Sequence, residues 1–547
     1  MSKIKICALG GLNETGKNMY LVQVDSDIFV FDCGLKYDHS NFGVDYIIPD
    51  FTYLKQNIKK IKGIFLTHGH DESMGAIPNL IKEVPNVAIY GTKYTMIALK
   101  RKLEAYNIKK ANLREILPNK KINFGKNSIF TLNVSHSVPD AICFILNTKD
   151  GSIVYTGNYT FDFAMDGNFK TDLGKLAYIG KQNVLCLLGE SNYAGRRGHT
   201  SPKHRIAYRV KNILRKHSGR IIFNTYSSQL FRIKEILDEI TKTNRLVVVM
   251  GKNLQNTIND GINNGYLEFD QKRIGDLSHI SHPNVVLLVA NELENPFHNM
   301  NRIVKGYDKY IKITEDDMIV FTEPYFDGTE LIEVNLANEI AKIGAEVIVM
   351  SNKDSLLHHA SQEDIKLMVN LMDPKYYMPV SGEYRLQVMN ADAASGSGFN
   401  EKNIILKLNG EVVLIENGVL KETKEQIRCE DVSIDGKGTL DVSDLVIRDR
   451  DILGNNGVVI VTTTIKRQDK TLLHGPEINT RGFIYVKDNV DLIKDLQEVA
   501  KEIVEKEIAD AKVDYHEIKK RLRDGLSKFI YNETECRPMI ISVILEV

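Results

Sequence analysis

Thr67-His68-Gly69-His70-Asp71-Glu72-Ser73-Met74-Gly75-Ala76 (67–76) follows the apolar run Gly63–Leu66 in a chain of 547 residues. Two histidines one residue apart, just past a strand end, can present both imidazoles to one metal ion. Alone, such a pair is more often two polar loop histidines. This chain adds Asp32 after one β-rich run, His136 in SHSVPD (135–140), and Tyr155-Thr156-Gly157-Asn158 after another. Each chemically capable residue follows a strand-like run, where an α/β scaffold carries its active-site loops.

Outward from this centre, the first 200 residues alternate β-rich runs, YLVQVDSDIFVFDCG (20–34), GIFLTHGH (63–70) and SIVYTGN (152–158), with helical patterns. From Ser201 to Val349, RIIFNTY (220–226), RLVVVMG (245–251) and AEVIVMS (345–351) read as buried parallel strands between helices. Residues 360–378 read as a helix and a strand, and 403–416 as a hairpin turning at Asn409-Gly410. A polar linker is expected at 424–450. After it, GVVIVTTTIKR, a GFIYV strand (482–486), helices at 490–512 and 515–531, and a last strand MIISVILEV predict a small α+β unit.

Bulk composition sets outer limits. A chain this long is expected to split into two or three domains. Lys plus Arg and Asp plus Glu both number 71, so no global field announces a polyanionic partner, although a local basic groove stays open. The six cysteines form no CxxC pair, so neither a disulfide framework nor a cysteine zinc site is indicated. The N-terminus MSKIKICALGG does not fit a signal peptide, and no apolar run would span a bilayer. A cytoplasmic location is expected.

The ordered histidines and aspartate resemble the metallo-β-lactamase fold. Gly10-Gly11-Leu12-Asn13-Glu14-Thr15-Gly16-Lys17-Asn18-Met19 narrows the resemblance to bacterial ribonuclease J, whose members open on GG-x-x-E-x-G-K-N-M. GVDYIIPDF (43–51), GESNYAG (189–195), HHASQEDIKLMVNLMDPKYYMPVSGEYR (358–385), LVIRDRDILGNNGVVIV (445–461) and GPEINTRGFIYV (475–486) are similar to that family too. The resemblance implies an α/β fold: a metallo-β-lactamase αββα sandwich with an inserted β-CASP domain and a small C-terminal α+β domain. The implied division is 1–200 and 351–423 for the metallo-β-lactamase domain, 201–350 for β-CASP, 424–450 for the linker and 451–547 for an oligomerisation domain.

The departures from the family pattern carry the functional reading. Active members carry HxHxDH, two histidines for one metal and the Asp and last His for a second. Aligned in frame, the Asp position is Glu72 and the last His position is Ser73. The bridging Asp of a TGDFKFD-like motif is Asn158, and the final histidine of a PVHGEYR-like motif is Ser381. His68, His70 and His136 survive, and three imidazoles can form a one-ion site. The second site keeps only weak or uncharged substitutes, apart from Glu72. Two dications without a bridging charge repel by several kcal/mol at ~4 Å, even at an effective dielectric of about 20. At most one divalent metal, Zn or Mn, is therefore expected on His68, His70 and His136.

A VSGHA-like stretch that binds phosphate in relatives reads Leu356-Leu357-His358-His359-Ala360, where His359 keeps the imidazole. The histidine of an IHR-like motif is Phe231, before Arg232. Glu72, Asn158 and His359 thus mark the catalytic positions of the family in degenerate form. Arg196, Arg197, Arg232 and Arg385 lie in motifs that line the family's interdomain cleft and are the implied RNA-binding residues. Lys93 to Lys121 holds nine basic and two acidic residues, which by itself reads as a solvated face.

Three readings follow. The first is a weak or inactive member, like the family's type-2 paralogues, that binds RNA, self-associates and joins a catalytic ribonuclease J. The second is a functional 5′-to-3′ exoribonuclease and endoribonuclease of RNA decay and rRNA maturation with a rearranged metal site. The third, a small-molecule hydrolase, is disfavoured by the β-CASP and C-terminal resemblances.

Overall fold

The computed structural model describes all residues except 1, 39–43, 166, 327, 351–354, 437–439, 442–443, 485–488 and 510–513. It forms two compact units, one of residues 1–37 and 46–432, the other of 38–45 and 433–547.

In the first unit, two mixed sheets of eight and six strands face each other. Phe29, Phe31, Phe65 and Tyr90 from one sheet pack with Phe144, Tyr155, Leu188 and Met378 from the other. The strands alternate inward and outward residues, so each sheet can close the shared aromatic core with one face and receive helices on its other. Strands Asp27–Phe31, Ile61–Phe65, Ala88–Gly91 and Asn112–Glu115 run parallel, which leaves their carboxyl ends and following loops at one end of the sandwich.

The chain leaves this sandwich after strand Val184–Glu190 and builds a second, wholly parallel six-stranded sheet before returning at strand Tyr376–Val380. That sheet is buried on both faces, as its near-continuous apolar strands require. Phe223, Val247, Leu288 and Val320 feed one core, and Ile222, Val248, Leu287 and Ile319 the other. The three parallel strands read from the sequence lie here, at Ile221–Tyr226, Leu246–Met250 and Glu346–Val349.

In the second unit, strand Val458–Ile465 lies between Leu472–Arg481, antiparallel, and Met539–Glu546, parallel. Helices Val490–Ile508 and Tyr515–Thr534 cover it. Leu496, Ala500 and Val504 on one helix, and Ile518, Leu522, Leu526 and Ile530 on the other, recur every four residues and meet Val459, Val461 and Ile465.

Three local expectations are corrected. The hairpin after residue 400 is Val413–Glu416 with Val419–Lys421, turning at Asn417-Gly418 rather than Asn409-Gly410. Both turn residues have positive φ, 51° and 75°, as a two-residue type I′ turn demands. Asn409 is held elsewhere, accepting from the Leu12 amide at 3.0 Å and donating to Glu14 at 2.8 Å. The expected linker carries strand Asp431–Asp435 and begins helix Asp444–Asn456. The strand expected at 482–486 ends instead at Arg481; Tyr485 and Val486 lie outside the described residues. No described helix is long and apolar enough to cross a membrane.

Candidate metal centre

His68, His70 and Glu72 come from the loop and short helix after strand Ile61–Phe65, and His136 from the loop after Asn127–Asn133. Their ligand atoms all lie within 4.8 Å of one another. The sequence reading gave the three histidines as the metal set; the structure adds Glu72 to it. Glu72 Oε1 is 3.3 Å from His68 Nε2 and 3.2 Å from His70 Nδ1, and His136 Nε2 is 3.3 Å from His70 Nδ1. The extra methylene of glutamate over aspartate supplies the reach that brings this carboxylate to the histidines.

The far nitrogen of each imidazole fixes which one faces inward. His70 Nε2 lies 3.1 Å from the Ser228 carbonyl and His136 Nδ1 2.8 Å from the His358 carbonyl. A carbonyl only accepts, so both those nitrogens carry the proton, and His70 Nδ1 and His136 Nε2 point lone pairs into the centre. His68 Nδ1 meets Thr67 Oγ1 at 2.9 Å, and that hydroxyl reaches Asp32 at 2.9 Å. Asp32 is fully buried; burial raises its pKa to about 7 against the hydrogen bonds of Thr67 and Tyr155.

The centre therefore gathers three imidazole lone pairs and a carboxylate oxygen. Among the described residues, its one recorded amide donor is Asn158 Nδ2, 3.2 Å from Glu72 Oε1. Such a set needs a cation between its members, and it fits one divalent ion. Burial holds His68 down to about 4 and His136 well below the usual histidine range. Burial also opposes the charge on Glu72, but a proton on His70 outweighs it and holds the carboxyl well below the usual range. Glu72 in turn raises His70 above the usual histidine value, so a proton can take the cation's place between them.

The remaining family positions do not make a second centre of the same kind. Among the described residues, Asn158 Oδ1 is buried without a hydrogen-bond partner and Ser73 Oγ is buried beside Asp32; both groups are neutral. Ser381 Oγ lies 3.0 Å from the Tyr20 hydroxyl and donates to Asn18 Oδ1 at 3.2 Å.

His359 stands beside the centre, its ring 5.7 Å from that of His136. Its Nδ1 pairs with Glu190 Oε2 at 2.8 Å, and Glu190 also accepts from the Tyr159 amide at 2.7 Å and the Ala360 amide at 3.1 Å. Glu190 was missed as a site residue in the sequence. Its signal was an acidic residue at the carboxyl end of an apolar strand, in GESNYAG. His358 is turned away, packed between His204 at 4.7 Å and Phe231 at 5.3 Å between ring centroids.

The arginines separate. Arg197 is exposed, Arg196 lies over the Tyr193 ring at 4.4 Å, and Arg385 is exposed beside Glu383 at 3.1 Å. Arg232 does not line a cleft. It is 0% exposed and donates to the carbonyls of Thr322, His204 and Leu356 and to Ser355 Oγ. Its guanidinium ties the inserted lobe to the segment returning from it, leaving no face for a phosphate.

Comparison with known proteins agrees with this architecture. Residues 12–164 match the metallo-beta-lactamase superfamily, 218–340 the beta-CASP domain of ribonuclease J, and 445–547 the ribonuclease J C-terminal domain. The chain is 35% identical to ribonuclease J2 of Bacillus subtilis, over 100% of this chain and 99% of that protein. It is 33% identical to ribonuclease J 2 of Staphylococcus aureus MRSA252, over 100% and 98%. A crystal structure of an Enterococcus faecalis V583 protein of unknown function shares the fold, at a TM-score of 0.53 and 15% identity over 76% of this chain and all of that one. With full-length relatives, three matching domain models and the histidine centre at the carboxyl ends of its strands, this chain belongs to the ribonuclease J family.

Proposed function

We propose that this chain is an RNA-binding ribonuclease J-type protein of RNA processing and decay whose nuclease activity is weak or absent, and that it works beside a catalytically complete relative. The observation that carries the reading is the position of Glu72. The one carboxylate left among the four altered ligand positions lies against His68 and His70. A bridging charge for two cations is then missing, and a pair of dications has nothing to offset its repulsion.

One divalent ion, Zn or Mn, would be held by His68, His70, His136 and Glu72 and would supply Lewis-acid chemistry toward a phosphodiester. Around it, Ser228 and His358 hold two imidazoles in the ligating tautomer through their carbonyls, and Thr67 with Asp32 holds the third. Glu190 orients His359 toward the same space. These residues bind and position RNA better than they cleave it, because the paired-ion clamp on attacking and leaving oxygens is lacking.

The assembly role rests on the C-terminal unit. Strand Met539–Glu546 is an edge strand, and Ile541, Leu545 and Val547 are 42%, 50% and 64% exposed. An apolar open edge is a ready pairing surface. We assign homo-oligomer formation and the hetero-complex with a catalytic ribonuclease J to this unit. The domain division is kept at 1–200, 201–350, 351–423 and 451–547.

The test is metal analysis of the purified protein together with degradation of a 5′-monophosphorylated RNA, with an active relative as control. One ion per chain and slow decay support the reading. Two stoichiometric ions, or decay at the relative's rate that is abolished by His68→Ala, favour the functional exoribonuclease/endoribonuclease with a rearranged site.

A further inference from the structure

We infer that the open edge of the metallo-β-lactamase sandwich is a second, sequence-independent RNA-binding surface, separate from the metal centre; this rests on the RNA reading above. Strand Asn112–Glu115 is the outermost strand of the eight-stranded sheet and Lys121–Phe124 the outermost of the six-stranded sheet. Tyr90 joins them on one side of the sandwich. Its hydroxyl accepts from Arg114 at 3.0 Å, and its ring lies 6.0 Å from Phe124.

Seven exposed cations gather on these edge strands and the segments flanking them: Lys100, Lys109, Lys110, Arg114, Lys120, Lys121 and Lys126. Among the described residues, none of them has an ion pair within 4.0 Å, and the exposed acids of the same stretch are Glu104 and Glu115. The other basic residues of the run behave differently. Arg101 is paired with Asp260, Lys102 with Asp71, and Lys93 lies over the Tyr266 ring at 5.9 Å. Folding therefore neutralises two of these charges internally and leaves the rest exposed, seven of them on and beside the edge strands.

The edge is joined through its backbone to the strand that precedes His136. Lys120 stands against Thr131 at the carboxyl end of the strand that runs on to His136. Unpaired cations on a protein of zero net charge favour a polyanion by charge complementarity. With no exposed aromatic residue between Lys109 and Lys126 to stack a base, the surface contacts backbone phosphates and not sequence. Edge lysines can also serve only to block strand-to-strand aggregation, and the experiment separates the two roles.

Binding of the full chain to a 5′-hydroxyl single-stranded RNA is measured by fluorescence anisotropy across a salt titration. The variant Lys110→Gln/Arg114→Gln/Lys120→Gln/Lys121→Gln is expected to bind at least ~10-fold more weakly at low salt. Its log K against log salt slope should flatten by up to about 3, at about 0.7 per lost phosphate contact. Lys110→Arg/Lys120→Arg/Lys121→Arg should keep wild-type affinity and show that the fold tolerates change there. Lys181→Gln/Lys252→Gln/Lys305→Gln/Lys402→Gln removes equal charge elsewhere and should bind as wild type. Unchanged affinity in the edge variant overturns the inference, as does an equal loss in the control. Self-association by light scattering with unchanged RNA affinity assigns the lysines to edge protection and overturns it too. If the wild type binds no RNA, the RNA reading itself fails and takes this surface with it.

Discussion

Asn158 donates from Nδ2 to Glu72 Oε1 across 3.2 Å, an amide-to-carboxylate bond between the two positions where an active family member would carry two metal-binding aspartates. The bond neutralises nothing and bridges no ions. The substitutions thus fit each other, and they should fail or recover together. Purified protein should degrade RNA orders of magnitude more slowly than an active relative. Glu72→Asp, Ser73→His, Asn158→Asp and Ser381→His combined should restore measurable rate, whereas each alone should do little, because ligands of one centre act as a unit. Full recovery from a single reversion in a decay assay would refute this.

Metal binding should show a stoichiometry of one, with outer contacts that matter. Thr67→Ala removes the hydroxyl between His68 and Asp32 and should weaken ion affinity about 10- to 100-fold. Glu72→Gln should weaken it at least as much. Elemental analysis after dialysis against graded chelator gives both numbers, independently of any nuclease activity.

Arg232→Ala should destabilise the protein by about 3 kcal/mol or more, since it strands three buried carbonyls and a buried hydroxyl. Urea unfolding measures the loss. RNA affinity per folded molecule should be unchanged at a temperature where the variant is native; a selective loss of RNA binding would return Arg232 to the cleft.

Glu333 is 4% exposed, one of its oxygens has no hydrogen-bond partner among the described residues, and burial together with Glu330 raises its pKa to about 7. A carboxyl whose folded pKa exceeds its unfolded one costs nothing while both states are protonated. The cost grows as pH rises from the unfolded value toward about 7 and is complete above it. Glu333→Gln should therefore raise Tm on the order of 2 °C at pH about 8 and leave it unchanged near pH about 4. A gain of equal size at both pH values would point to packing instead.

Removing residues from 451 onward should lower the oligomeric mass by light scattering and abolish co-purification with a catalytic ribonuclease J. Retention of both would leave the C-terminal unit as a cap on its own chain.

The strand ends, the histidine triad and the altered ligand positions were legible in the sequence because each is written in a short contiguous string. Glu72's contribution was not: replacing Asp with Glu there read as a ligand moved slightly out, and only the folded loop shows the carboxylate reaching two imidazoles. Ser228 was invisible for another reason. It acts through a backbone carbonyl, 158 residues from His70, and no side chain announces that. Arg232 misled because a charge beside a catalytic motif suggests a phosphate, whereas the folded chain supplies it with carbonyls. Asn409-Gly410 and Asn417-Gly418 are the same dipeptide, and only tertiary contacts to Leu12 and Glu14 decide which becomes the hairpin turn.

The carbonyl of Ser228 belongs to the inserted lobe, while His70, which it holds, belongs to the sandwich. Ion affinity and the seating of the Ser228 carbonyl against His70 are consequently linked. A change that draws this carbonyl away takes from His70 Nε2–H the acceptor that fixes its tautomer, and should lower the affinity for the ion. By reciprocity a bound ion favours the seated carbonyl to the same degree. Chelation should then speed amide hydrogen exchange around residues 226–230 as well as around 68–72, so that a metal site in one lobe reports as rigidity in the other.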